Sequence, residues 1–73
     1  MYYVYILHSE KLKKKYIGST RDLRKRFKSH NKGKNSFTKK GIPWNLIYYE
    51  AFTNKNDARN EELFLKTEKV END

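Results

Sequence analysis

Arg26, His30 and Glu62 are polar side chains capable of chemistry, and each borders apolar positions of a segment that must pack. Arg26 lies one helical turn from both Leu23 and His30, so its guanidinium leaves the helix at the edge of the apolar stripe. From there a planar fork of donors can grip two phosphate oxygens, although one solvated Arg among many cations is the plainer alternative. His30 shares that face and can carry a proton or donate to phosphate. Glu62 sits about 40° around a helix from Ala58, beside the face that must pack, and a carboxylate there needs a partner. Glu61 is close to the same face, and periodicity does not choose between them. Such a carboxylate suits Mg²⁺, which keeps most of its waters and takes one or two carboxylates plus phosphate oxygens. The alternative is an i,i+4 ion pair with Lys66. Tyr3 and Tyr5 share one face of a first apolar segment and Tyr16 opens a second. Core packing is the default for them, but hydroxyls gathered near cations can also position water or ionise.

The elements that must hold these residues follow from pattern. Met1–His8 (MYYVYILH) is a continuous aromatic and β-branched run, which suits a strand covered on both faces. Lys15–Ser19 (KYIGS) is a second short strand after a polar loop, and Gly18 is expected to end it. Arg21–Lys32 is uninterrupted by Gly or Pro and reads as a helix capped by Ser19 or Thr20, with Asp22 in its first turn. Only Leu23 and Phe27 recur at i,i+4, so the helix rests lightly on the sheet. Residues 33–43 read as a mobile loop with Phe37 and Ile42 as anchors. Trp44–Phe52 (WNLIYYEAF) is expected at the sheet centre or under a helix. Asn54–Asp57 supplies a turn and a cap for a second helix, Ala58–Lys69, with Ala58, Phe64 and Leu65 facing the sheet. Val70–Asp73 carries no pattern. The order β-β-α-β-α predicts an α+β fold forming one domain over residues 1–73.

Composition narrows the partner. Seventeen Lys+Arg against nine Asp+Glu leave a net charge of +8, and the acidic residues fall mostly after Glu50. That asymmetry favours a polyanion, since neutralising phosphates releases condensed counterions. The absence of cysteine excludes disulfide-linked partners and thiolate metal sites, and favours a reducing, cytoplasmic setting. No apolar run is long enough to span a membrane.

Taken in order, these residues resemble the GIY-YIG nuclease family in its small stand-alone form, similar to the nuclease domain of the excision-repair C subunit. Tyr3-Val4-Tyr5 stands where the family has Gly-Ile-Tyr, with Tyr3 replacing the Gly, and Tyr16-Ile17-Gly18 reproduces the second half. Arg26 falls ten residues after Tyr16, as the helical arginine of the family does, and His30 takes a position usually held by His or Tyr. Ala58-x-x-x-Glu62-x-x-Leu65-Lys66 resembles the metal-binding helix, which selects Glu62 over Glu61. Pro43-Trp44-x-Leu46-x-Tyr48-Tyr49-Glu50 resembles the third strand of the stand-alone group. A further polar residue that relatives place later, often Asn, has no assigned counterpart, Asn72 included.

The resemblance implies a three-stranded antiparallel sheet flanked by helices. It implies endonucleolytic hydrolysis of phosphodiesters, with DNA as the expected substrate and repair as one setting. Glu62 would hold Mg²⁺ or Mn²⁺, Arg26 would offset charge on the phosphate, and Tyr16 or Tyr5, helped by His30, would align or deprotonate water. Lys25, Lys28, Lys32, Lys34, Lys39 and Lys40 would track the backbone. The rival expectation is a nucleic-acid-binding module of the same fold with little catalytic power; a protein-interaction adaptor explains the charge poorly.

Overall fold

Strand β1 (Tyr2–Ser9) takes the middle of the sheet in this computed structural model, which describes residues 1–67. It pairs antiparallel with β2 (Lys14–Thr20) on one side and with β3 (Trp44–Phe52) on the other. Helix α1 (Leu23–Asn31) follows β2, a short 3-10 turn (Lys39–Gly41) precedes β3, and α2 (Lys55–Thr67) follows it. The expected α+β architecture and the order β-β-α-β-α are both present. The expected end of the second helix at Lys69, the segment Val70–Asp73 and Asn72 within it lie outside the described residues.

The central position of β1 has a direct cause in its side chains. Val4, Tyr5, Ile6 and Leu7 are consecutive and all buried, so neither face of this strand can stand in water. On one face Tyr5 and Leu7 pack with Trp44, and Tyr16, Leu23, Phe27, Ile42 and Leu46 close over them. On the other, Val4 and Ile6 lie beside Ile17, under α2 and its buried Ala58.

Four expectations for the strands and helices are corrected. β3 is an edge strand, exposed from Ile47 to Ala51, because only its first residues lie under α1 and its tyrosines tolerate water at their hydroxyl ends. Gly18 does not stop β2: it pairs with Tyr5, and the strand continues to Thr20. Asp22 is itself the N-cap of α1, its side chain accepting from the Lys25 amide at 3.0 Å, since Ser19 and Thr20 are held in the sheet. Phe64 is 54% exposed, leaving Ala58 and the half-buried Leu65 to face the sheet.

The segment expected to be mobile is pinned at several points. Asn31 brackets the Trp44 backbone, donating to its carbonyl at 3.0 Å and accepting from its amide at 2.6 Å. The Trp44 indole donates to the Thr38 carbonyl at 2.7 Å, and the Ser9 hydroxyl donates to the Gly41 carbonyl at 2.7 Å. Ile42 anchors as expected, but Phe37 is 77% exposed and Thr38 is the buried residue.

Candidate active site

Tyr5 stands at the centre of the sheet, and its phenol crosses the neighbouring strand over Gly18. A Cβ at Gly18 would lie 2.7 Å from the Tyr5 hydroxyl oxygen and 2.9 Å from the carbon that bears it, so the ring needs the missing side chain. His30, in the last turn of α1, is fully buried, with Nε2 at 3.1 Å from the Tyr5 hydroxyl. Its Nδ1 lies 2.8 Å from the Thr38 hydroxyl. Burial, and then the nearby Arg26 guanidinium, lower the His30 pKa below its ordinary value, which favours neutral imidazole. A neutral ring has one donor and one acceptor nitrogen. The Thr38 hydroxyl has the Asn35 carbonyl as an acceptor at 3.4 Å, so the donors run Tyr5 to Nε2, then Nδ1–H to Thr38, then Thr38 to Asn35.

Burial raises the Tyr5 pKa well above the usual phenol value; Tyr16 adds to that, Arg26 opposes it and Glu62 adds again. In the free protein Tyr5 is therefore a protonated donor. Tyr16, opposite Leu7 on the same face, is half-buried, its ring edge-on to His30 at 5.0 Å and near Phe37 and Trp44. It lines a cleft with Lys15, Phe37 and Lys66.

Glu62 arrives from the opposite face of the sheet. Its carboxylate accepts from the Ser19 hydroxyl at 2.8 Å and pairs with Lys66 at 3.0 Å, and its side chain is 18% exposed. The metal-ligand and ion-pair readings of this residue are thus not exclusive, because each carboxylate oxygen has a second lone pair. Glu61, on the same helix, bears instead on Tyr48, whose pKa the hydrogen bond to Glu50 pushes up to about 12. The two faces meet at β2, which is an outer strand: Tyr5 crosses it at Gly18, Tyr16 and Lys66 share a cleft, and Arg26 shares another with Ser19, the hydrogen-bond partner of Glu62. The sequence-derived set Tyr5, Tyr16, Arg26, His30 and Glu62 is gathered around this edge.

Among the described residues no group of three or more His, Cys, Asp or Glu could enclose a metal ion. One partly exposed carboxylate beside cation-lined clefts is still a fitting donor set for Mg²⁺ or Mn²⁺, which draw their remaining ligands from water and phosphate. Of the six lysines, Lys25 and Lys34 line a cleft with Arg26 and His30, and with Lys28 and Lys32 they line the adjoining one. Lys39 and Lys40 are exposed on the 3-10 turn and line neither. Sequence reasoning missed Thr38 and Ser19. Nothing in the run SFTKKG marks Thr38 as buried, whereas strand alternation from Ile17 would have put Ser19 on the α2 face.

A family model described as the GIY-YIG catalytic domain matches residues 1–72. Two UPF0213 proteins of Streptococcus pyogenes, from serotype M5 (strain Manfredo) and serotype M2 (strain MGAS10270), are each 39% identical over 69 residues, covering 93% of this chain and 74% of the relative. No solved structure matches it. A match over almost the whole length, on a sheet and helix order that gathers the motif residues at one strand edge, means that the chain belongs to the GIY-YIG catalytic domain family, a family of nucleases.

Proposed function

We propose that this domain is an endonuclease that hydrolyses phosphodiesters of nucleic acid, DNA foremost, with one divalent ion, Mg²⁺ or Mn²⁺, held by Glu62. The observation that carries the reading is that Arg26 lines one cleft with His30 and the adjoining one with Ser19, whose hydroxyl holds Glu62. A cation and a hydrogen-bonded carboxylate reached from adjoining clefts, beside a buried neutral imidazole, form a setting for a phosphate and a water rather than a packing core.

A divalent ion bound there supplies Lewis-acid polarisation of the phosphate and charge to offset the leaving oxygen. Arg26 binds the phosphoryl oxygens and offsets the charge that grows on them during attack. Ser19 holds one oxygen of Glu62, fixing the carboxylate in orientation. As its phenolate, Tyr16, half-buried and open to a cleft, orients the attacking water and takes its proton, which regenerates the phenol. Tyr5 keeps its proton on the His30 side and holds the neighbouring groups in register, and His30 passes that order on to Thr38.

Labelled single-stranded, duplex and branched substrates incubated with Mg²⁺, Mn²⁺ or EDTA test the reading. Cleavage with metal and none in EDTA is expected. Glu62→Ala should abolish it with an unchanged far-UV spectrum, whereas Glu61→Ala should matter far less; the reverse result would break the assignment. The second reading, a binding module without turnover, is favoured by the Lys66 ammonium that already pairs with Glu62. It predicts retained binding and no cleavage under any of these conditions.

A further inference from the structure

Four cations that have no part in the lysine set above converge on the other side of Arg26's helix end. A cleft of about 470 Å³ lies between the end of β2 and the first turns of α1 and α2, and Arg21, Arg26, Lys55 and Arg59 line it. Among the described residues the only carboxylate on its wall is Asp22, which already accepts from the Lys25 amide at 3.0 Å. Among the described residues none of the four cations forms an ion pair within 4.0 Å. Lys55 and Arg59 stand at i,i+4 on α2, a spacing at which like charges destabilise a helix. Arg21 lies 5.3 Å over the ring of Tyr2, an arrangement that holds one guanidinium at the cleft. Cations collected in a concave surface without counter-charges focus a field that a polyanion satisfies.

The position of the cleft decides which polyanion. It shares Thr20, Asp22 and Arg26 with the cleft that Lys25, Lys34 and His30 line. Ser19, which holds Glu62, also lies on its wall. Arg26 is therefore a junction between two cationic clefts, one running toward Lys34 and the other toward Arg59.

We propose that Arg21, Lys55 and Arg59 form a second backbone-binding subsite, which takes the phosphates of the nucleic-acid strand on the side of Arg26 opposite Lys25 and Lys34. The subsite rests on the nucleic-acid reading above and extends it by fixing the path of the strand, across β2 from α1 to α2.

The test is equilibrium binding of a labelled single-stranded oligonucleotide in EDTA, where no turnover is required, followed over a range of KCl. Each phosphate contact on a single strand contributes about 0.7 to the slope of log K against log salt, so Lys55→Ala/Arg59→Ala should flatten it by about 1.4. Lys11→Ala/Lys13→Ala, in the distant hairpin loop, should leave the slope unchanged, and thermal unfolding of each double variant reports whether it is folded. Binding retained with an unchanged slope in folded Lys55→Ala/Arg59→Ala overturns the subsite. So does inorganic phosphate that binds the wild type but not the variant without displacing the oligonucleotide, which would make the cleft a site for free anions. A flattened slope in a protein that cleaves nothing with Mg²⁺ or Mn²⁺ supports the subsite while removing the nuclease reading. Cleavage with an unchanged slope does the converse, and no binding to any nucleic acid removes both.

Discussion

Tyr5 and Tyr16 look alike in the sequence, yet their surroundings divide them. Tyr5 is buried, hydrogen-bonded to His30 and held protonated, while Tyr16 is half-buried and lines an open cleft. Tyr16→Phe is expected to lower single-turnover cleavage by roughly 10²–10⁴-fold, the usual worth of a positioned proton acceptor, with little effect on stability. Tyr5→Phe should lower the rate less but cost about 1–3 kcal/mol of stability, because it leaves a buried ring nitrogen of His30 without its partner. Cleavage by Tyr16→Phe at the wild-type rate and pH profile would return Tyr16 to the core and make His30 the better candidate base.

His30 also sets a pH dependence whose sign follows from its lowered pKa. The unfolded chain takes up a proton on this imidazole near its ordinary pKa of about 6.5, while the folded chain does so only at lower pH. Its contribution to stability is therefore complete above about 6.5 and declines as pH falls from there through the lowered folded value. Thermal unfolding followed on acidification should show this loss, and His30→Gln should lose less over the same window. An equal decline in both proteins would mean that the imidazole is not buried in its neutral form.

At the scale of elements, β2 is short, partly polar and at the sheet edge, and it nonetheless organises the site. Its central Gly18 admits the Tyr5 phenol, its Ser19 holds Glu62, and its Tyr16 faces the cleft near Lys66. Gly18→Ala would drive a methyl group into the Tyr5 ring, which is held between the sheet and α1 and cannot retreat cheaply. A loss of about 1–3 kcal/mol in urea unfolding is expected, as for other overpacked cores, together with reduced cleavage. Unchanged stability would mean that the phenol is free to swing away. The loop before β3 makes a similar point. Asn31, Thr38 and Ser9 tie it down through a few polar bonds that composition does not announce.

At the scale of the molecule, a net charge of +8 is resolved into separate surfaces. Lys25 and Lys34 flank Arg26, whereas Lys39 and Lys40 project from the 3-10 turn away from those clefts. Lys25→Ala/Lys34→Ala should flatten the salt dependence of duplex binding by about 1.8, two contacts at about 0.9 each. Lys39→Ala/Lys40→Ala should flatten it less, and an equal effect would extend the binding surface over the turn. No helix among the described residues is long and apolar enough to cross a membrane.

The amino-acid sequence alone determined the elements and supplied the candidates for the site. Apolar runs and helix-compatible stretches mark β1, β2, β3, α1 and α2, and the ordered motif selects Tyr5, Tyr16, Arg26, His30 and Glu62. The elements are short-range properties, carried by residue type and by spacing within each one, while the choice of candidates such as Glu62 over Glu61 rests on the family resemblance. The tertiary structure decided what depends on residues far apart in the chain. It made β1 the centre and β3 an edge, because hydrophobic runs of similar strength are ranked only by what covers them. It made His30 a buried link between Tyr5 and Thr38, which required a loop eight residues away to fold back. It brought Glu62 to Ser19 across a separation of 43 residues, and so joined two faces of the sheet at one strand edge. Spacing along a helix places a side chain on a face; only the packing of that face determines which charges and hydroxyls it meets.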